Sequence, residues 1–415
     1  MSHQRVEPLD VEAIRAEYPI LDQSVDGTPL VYLDSAATAQ TPDPVVDAMS
    51  DYYRETNANV HRGIHHLSQQ ASAAYEEAHD RVAEFVGASG GRKELVFTKN
   101  TTESENLIAH AWGLRELGPG DEVVLTQMEH HASLVTWQQV AMRTGADVKY
   151  IEVTEDGRLD MDHARECITD DTAMLSAVHV SNTLGTVNPV NELVDLAHEH
   201  DALTFIDGAQ AVPTRPVDVE AIDADFYAFS GHKMAGPTGI GCLYGKEALL
   251  AELDPYLYGG GMIRKVTYDD STWGEVPWKF EPGTPPIAEA VGLHAAVDYL
   301  EEIGMERVQA HEEHLAEAAY DALSDIDGLT IYGPEPGPDR AGLVSFTLEN
   351  VHAHDLASIC NDHAVAIRAG DHCTQPLHDT LGVAATARAS FYVYNTVDEI
   401  EPLVEAIEDA QSLFA

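Results

Sequence analysis

The feature that most constrains this chain is an alternation between residues 94 and 245. Short runs rich in β-branched and aromatic residues (ELVFTK, DEVVLTQ, DVKYIEV, AMLSAVHV, LTFIDG, DFYAFS and GCLYG) are separated in several places by amphipathic helical patterns such as NELVDLAHEH. Strand-length apolar runs alternating with helical patterns predict an α/β domain with a largely parallel sheet. From about Gly259 to Pro286 the pattern lapses, and YGGGMI and EPGTPP are loop signals. Beyond it, IAEAVGLHAAVDYLEEIG and MERVQAHEEHLAEAAYDALSDI predict long helices, GLVSFTLEN and ASFYVYN predict strands, and a helix closes the chain. The expected organisation is a large domain over 31–289, a smaller C-terminal α/β domain over 290–415, and a segment 1–30 packing beside the small domain.

Ligands of open α/β sheets sit outside the carboxyl ends of the strands. Polar residues stand just after five of the runs: Asn100 to Thr102, Glu129 to Ala132, Ser181 with Asn182, Asp207 to Gln210, and Ser230 to Lys233. Taken singly, each has an ordinary explanation. Lys233 in a Gly/Pro loop suits a solvated side chain, Asp207 suits a helix cap, and His130 with His131 suits a satisfied polar pair. His61 and His65 have the i, i+4 spacing of a metal pair, but no acidic or cysteine third ligand stands at a matching spacing, so no metal is expected. Five strand ends supplying acid, amide, imidazole, hydroxyl and amine at one rim point instead to a single site.

Asp207 and Lys233 together narrow the chemistry. A pyridoxal phosphate site needs a lysine to carry the cofactor, a carboxylate facing the pyridine nitrogen, and donors for the phosphate. Thr101 and Thr102, opening a helical pattern, offer backbone N–H groups and a helix dipole for that phosphate. Ser230 and His232 flank the lysine and suit the same anion, and His130 suits stacking on the ring.

LDSAATAQTP, NVHRGIHHLS, EHHASLVTWQ, SNTLGTVNP, DGAQAVPTRPVDV, DFYAFSGHKMAGPTGIGCLYG, FEPGTP and RASFYVYNT resemble, in order and spacing, the SufS-type (group II) cysteine desulfurases of aminotransferase class V. The resemblance runs over nearly the whole chain and implies a fold-type I pyridoxal phosphate enzyme. It implies that Lys233 carries the cofactor, Asp207 faces the pyridine nitrogen, Gln210 approaches the ring hydroxyl, and His130 stacks and takes part in proton transfer. Thr102, Ser230 and His232 would hold the phosphate, with Thr284 contributed from the partner subunit of a homodimer. Asn182, expected to touch both cofactor and substrate, would join Arg388 at the substrate carboxylate, and Arg368, five residues before Cys373, would also bind substrate. Cys373, in IRAGDHCTQP, matches the nucleophile that takes sulfur from L-cysteine as a persulfide. An acceptor of the SufE, SufU or SufBCD kind would then receive it for iron–sulfur cluster assembly. The family loop usually reads R-A/T-G-H-H-C, so Asp371 replaces a histidine, and a carboxylate pointing at the thiol would oppose thiolate formation.

Composition removes other classes. With 71 acidic against 23 basic residues, a net charge of −48 opposes nucleic-acid binding, which needs a basic surface. Acid dispersed along the chain, with self-repulsion that molar salt screens within about 3 Å, suggests a halophile's protein. Four cysteines without C-x-x-C spacing suggest neither a zinc knuckle nor a disulfide scaffold. A polar N-terminus and no long apolar stretch lead us to expect a cytoplasmic location and no membrane partner. Rival activities on the same scaffold are selenocysteine lyase and cysteine sulfinate desulfinase. A rival of another class is an acidic metal-binding protein, suggested by the 21 histidines.

Overall fold

The computed structural model describes residues 7–61 and 63–414; the first six residues of the expected N-terminal segment lie outside it. In chain order the elements that build the site and its support are α1 (His66–Phe85), β1 (Leu95–Thr98), α2 (Thr101–Ile108), β2 (Glu122–Thr126), α3 (His131–Thr144), β3 (Asp147–Ile151), β4 (Thr172–Val178), α4 (Val190–Glu199), β5 (Leu203–Asp207), β6 (Phe226–Ser230) and β7 (Gly241–Gly245). Then come α5 (Ile287–Ile303), α6 (Met305–Ser324), β8 (Leu329–Tyr332), β9 (Leu343–Leu348), α7 (Ala353–Asp362), β10 (Arg368–Gly370), α8 (Gln375–Leu381), β11 (Thr386–Ser390) and α9 (Ile400–Phe414).

All seven apolar runs enter one sheet, in the order β1-β7-β6-β5-β4-β2-β3. Only β7 runs against its neighbours, pairing antiparallel with both β6 and β1. Alternate residues of each strand feed two different cores, as the period of two dictates. Phe97, Val124, Ile206, Tyr227 and Phe229 pack on the face covered by α1, α4 and α5. Val96, Val123, Phe205, Phe226 and Ala228 pack on the face covered by α2 and α3. Gly241 is required where β7 passes the turn before α2, because a Cβ there would lie 2.5 Å from Asn100 Cα.

The smaller layer is an antiparallel sheet, β8-β9-β11-β10, with its own core of Phe346, Leu356, Ala387 and Leu403. Residues just beyond 30 join this layer: Val31 and Tyr32 pair in parallel with Val365 and Ala366, and Asp34 bridges to Ser390. The run ASFYVYN is a strand only at its start, since β11 spans Thr386–Ser390. Asn395 then folds back to accept the Tyr392 N–H at 2.8 Å, which ends the ladder. The lapse over 259–286 contains a small hairpin, Ile263–Val266 with Ser271–Trp273.

Candidate active site

The rim of β1, β2, β4, β5 and β6 opens onto a cavity of about 300 Å³. Lys233 reaches it from the short helical turn after β6. Burial lowers its pKa to about 8, against the opposing pull of Asp207. Asp207, the last residue of β5, is 5% exposed, and Ala209 N–H donates to its Oδ1 at 2.8 Å. Burial raises its pKa, while that N–H and Lys233 lower it. With Asp207 buried and Lys233 half-buried, water screens the two groups only in part.

At one end of the cavity α2 begins. Asn100 caps it, accepting the Glu103 N–H at 3.0 Å, and Ser230 Oγ accepts the Thr101 N–H at 3.0 Å. Thr102 lines the cavity beside them. His232 Nδ1 lies 3.2 Å from the Thr38 hydroxyl, and burial together with Lys233 lowers its pKa to about 4. These hydroxyls and a helix N-terminus form an anion cradle. His130 caps α3 with Nδ1 accepting the Ala132 N–H at 3.0 Å, and burial foremost, with Lys233 next, lowers its pKa to about 4. A neutral imidazole thus faces the cavity at neutral pH. Gln210 lines the same space and donates through Nε2 to the Ala36 carbonyl at 2.7 Å.

Asn182, Arg368 and Arg388 line the cavity's other side. Arg388 is 2% exposed and donates to the Asn182 carbonyl at 2.7 Å, and its buried Nε has no partner. Burial lowers its pKa to about 10. Sequence reasoning missed Asp34, which holds Arg368 at 2.8 Å and Arg388 at 3.4 Å. The only signal was its place in LDSAAT; the bridge to Ser390 brings it here.

Cys373 enters from the small layer on the loop between β10 and α8 and is exposed. His372 and Cys373 both have left-handed backbone, at φ 48° and 60°, an uncommon conformation for such residues. The loop is held from the large layer: His131 N–H donates to the Cys373 carbonyl and Asn182 Nδ2 to the His372 carbonyl, each at 2.7 Å. His131 Nε2 also accepts the Gln375 N–H at 3.0 Å, so the second histidine of the pair anchors the loop. Asp371 turns back into its own loop, its Oδ1 accepting the Cys373 N–H at 3.0 Å. His372 Nε2 meets the Thr386 hydroxyl at 3.0 Å, while burial and the neighbouring Arg388 drive its pKa down to about 2.

Of the residues expected at the site, Thr101, Thr102, His130, Asn182, Asp207, Gln210, Ser230, His232, Lys233, Arg368, Cys373 and Arg388 line this one cavity. Thr284 does not; it is exposed and lines a separate cavity with Lys99, Glu103 and Tyr256. His65 precedes α1, its Nδ1 accepting the Ser68 N–H at 3.2 Å. Among the described residues no group of three or more His, Cys, Asp or Glu is arranged to hold a metal, and no helix is long and apolar enough to cross a membrane.

A half-buried lysine, a buried carboxylate and a hydroxyl-lined helix N-terminus in one cavity fit pyridoxal phosphate, and the cavity is of a size usual for small ligands. The chain belongs to the aminotransferase class-V family, fold-type I pyridoxal phosphate enzymes, whose model matches residues 31–403. It is 69% identical to a cysteine desulfurase of Haloferax volcanii, covering 100% of both chains. The structure matches an apo cysteine desulfurase of Thermococcus onnurineus at TM-score 0.92 and 39% identity, covering 99% of this chain and 100% of that one. It also matches the Escherichia coli cysteine desulfurase CsdA at TM-score 0.91 and 38% identity, with the same coverage.

Proposed function

We infer that this chain is a pyridoxal phosphate-dependent cysteine desulfurase, which takes the sulfur of L-cysteine onto Cys373 and leaves L-alanine. The observation that carries the reading is the meeting, in one cavity, of a half-buried lysine, a buried carboxylate and an exposed cysteine delivered from the other layer. When bound, the cofactor supplies an electron sink for the substrate's α-carbon. Lys233 holds it and moves the α-proton, a role suited to an amine with a pKa lowered to about 8. Asp207 would keep the pyridine nitrogen protonated, Gln210 would approach the ring hydroxyl, and His130 would stack on the ring. Thr101, Thr102, Ser230 and His232 bind the phosphate. Asn182, Arg368 and Arg388 orient the substrate carboxylate, with Asp34 presenting the two guanidinium groups.

Cys373 attacks the substrate sulfur as thiolate. The substrate C–S bond breaks as the S–S bond forms, so cysteine and enzyme thiol become alanine and enzyme persulfide without an outside oxidant or reductant. Incubation with L-cysteine in high salt should yield alanine and a persulfide mapping to Cys373 in equal amounts on the first turnover. Alanine formed without that persulfide would reject the reading.

The finer assignments follow the SufS-type resemblance: a homodimer, and transfer of the persulfide to an acceptor for iron–sulfur assembly in the cytoplasm. The dimer is supported by Thr284, exposed outside its own chain's site, and by exposed Leu257, Tyr258, Val266 and Tyr268 in the same stretch of chain. Exposed side chains of this kind mark association surfaces. The charge of −48 supports a molar-salt interior, where repulsion is screened. The melting temperature should then climb between dilute buffer and molar salt, and a flat response would remove the halophilic assignment.

A further inference from the structure

The segment Glu281 to Pro286 leads into α5 and carries Thr284. Three of its residues, Pro282, Pro285 and Pro286, have no N–H to give. Its backbone ties are local apart from one: Glu281 N–H donates to the Trp278 carbonyl at 3.2 Å, Ile287 and Ala290 N–H donate to the Pro285 and Pro286 carbonyls at 2.9 Å, and only the Gly283 N–H, to the Gly260 carbonyl at 2.7 Å, reaches further along the chain. What fixes the segment to the body of the protein is the side chain of Glu281.

That side chain is 5% exposed and accepts three hydrogen bonds. The Tyr75 hydroxyl donates to Oε2 at 2.8 Å, and Oε1 meets His79 Nε2 at 2.9 Å and the Phe97 N–H at 2.8 Å. His79 is fully buried, and its Nδ1 lies 3.0 Å from the Tyr75 carbonyl. The imidazole therefore bridges the Tyr75 carbonyl and the Glu281 carboxylate in a buried setting. The ring lies 3.8 Å, centroid to centroid, from Phe97 and packs edge-on to Trp278. Phe97 belongs to β1, the edge strand that leads into the cradle at Thr101.

We propose that Glu281, clasped by Tyr75, His79 and Phe97, is a positioning residue for the active site of a second copy of this chain, where it fixes the loop that presents Thr284 to the bound phosphate. The proposal rests on the dimeric reading above. Thr284 lines a cavity of about 490 Å³ with Lys99 and Glu103, which bracket the cradle residues Thr101 and Thr102 in the chain. A loop this poor in backbone ties can offer a hydroxyl at a fixed place across an interface only if something at its base is rigid. A doubly held carboxylate provides that.

The experiment is a subunit hybrid built from two differently tagged chains, so that one Lys233 remains per dimer. In the trans hybrid, one subunit carries Lys233→Ala with Glu281→Gln and the other is unaltered. In the cis hybrid, Glu281→Gln sits on the subunit that keeps Lys233. Borohydride fixation at Lys233 after timed dilution measures how fast the cofactor leaves. The trans hybrid should lose it about tenfold faster than a hybrid carrying Lys233→Ala alone, the loss of one well-placed phosphate contact, and the cis hybrid should match that control. Tyr75→Phe, which removes one donor and leaves the His79 and Phe97 contacts to Glu281, should give a smaller trans effect and serves if Glu281→Gln does not fold. Equal release in the trans hybrid and control, or a loss confined to the cis hybrid, would overturn the proposal. If Thr284→Ala in trans speeds release while Glu281→Gln does not, only the clasp fails. If the chain sediments as a monomer and Thr284→Ala is silent, the dimeric reading fails with it.

Discussion

Lys233 and Cys373 line one cavity, yet the chain places them there by different means. Lys233 follows directly from a strand of the central sheet, and its neighbours Asp207 and Ser230 end adjacent strands, so parallel pairing alone brings them together. Cys373 sits on a left-handed turn held by His131 and Asn182, residues some two hundred positions earlier. The lysine is half-buried and its pKa lowered, whereas the cysteine is exposed. Cofactor chemistry needs a dry, preorganised floor, and handing sulfur to another protein needs an accessible thiol. A site made of one layer alone would have to compromise between the two.

The comparison breaks most sharply at Lys233. Lys233→Ala should lower alanine formation on the order of 10⁴-fold and remove borohydride-fixed cofactor, and Asp207→Asn should lower it about 10²-fold with cofactor retained. Peptide mapping that found the adduct on another lysine would dissolve the floor as drawn.

Cys373→Ser should leave the cofactor spectrum intact and reduce alanine formation about 10³-fold, because a hydroxyl is a poor nucleophile toward sulfur. Wild-type alanine output from this variant would mean that the exposed loop is not the sulfur relay.

Protonation gives an intermediate effect. In the cofactor-free protein the neutral amine of Lys233 is the reactive form, and its pKa stands near 8. Cofactor uptake should therefore rise about tenfold per pH unit below pH 8 and level above it, whereas a solvated lysine would keep gaining until about pH 10. Stopped-flow absorbance across pH 6–10 checks this, and continued acceleration above pH 9 would contradict a desolvated floor.

The smallest effect belongs to the loop's own turn. Asp371→Ala removes the acceptor for the Cys373 N–H and should slow sulfur transfer about threefold, while Asp371→Asn, which keeps an acceptor oxygen, should stay near wild type. Cofactor uptake should be unchanged in both, and a change there would show that the two regions are not separable.

The seven strands and the helices of the second half were legible because each carries its periodicity locally. Asp34 was not, because its role depends on Val31 and Tyr32 pairing with Val365 and Ala366, a contact with no local signature. His131 was set beside His130 as one of a polar pair, although its N–H and ring hold the Cys373 loop. Asp371 was read as a charge near a thiol, whereas its carboxylate serves the backbone. ASFYVYN read as strand throughout because every residue in it is apolar or β-compatible, yet the ladder stops at Ser390. Burial against helices gives the remainder the same composition.

By itself the sequence determined the parallel α/β layer and the polar residues at its strand ends, since apolar runs of strand length must pair and their carboxyl ends must open on one rim. It also marked Lys233 and Asp207 as partners, because an amine and a carboxylate at two strand ends suit a pyridoxal phosphate site. Only the tertiary structure decided that Cys373 meets them, that Asp34 spans both arginines and that Glu281 turns inward to His79. Those contacts join segments more than a hundred residues apart, and their geometry is set by tertiary packing, which no local pattern encodes.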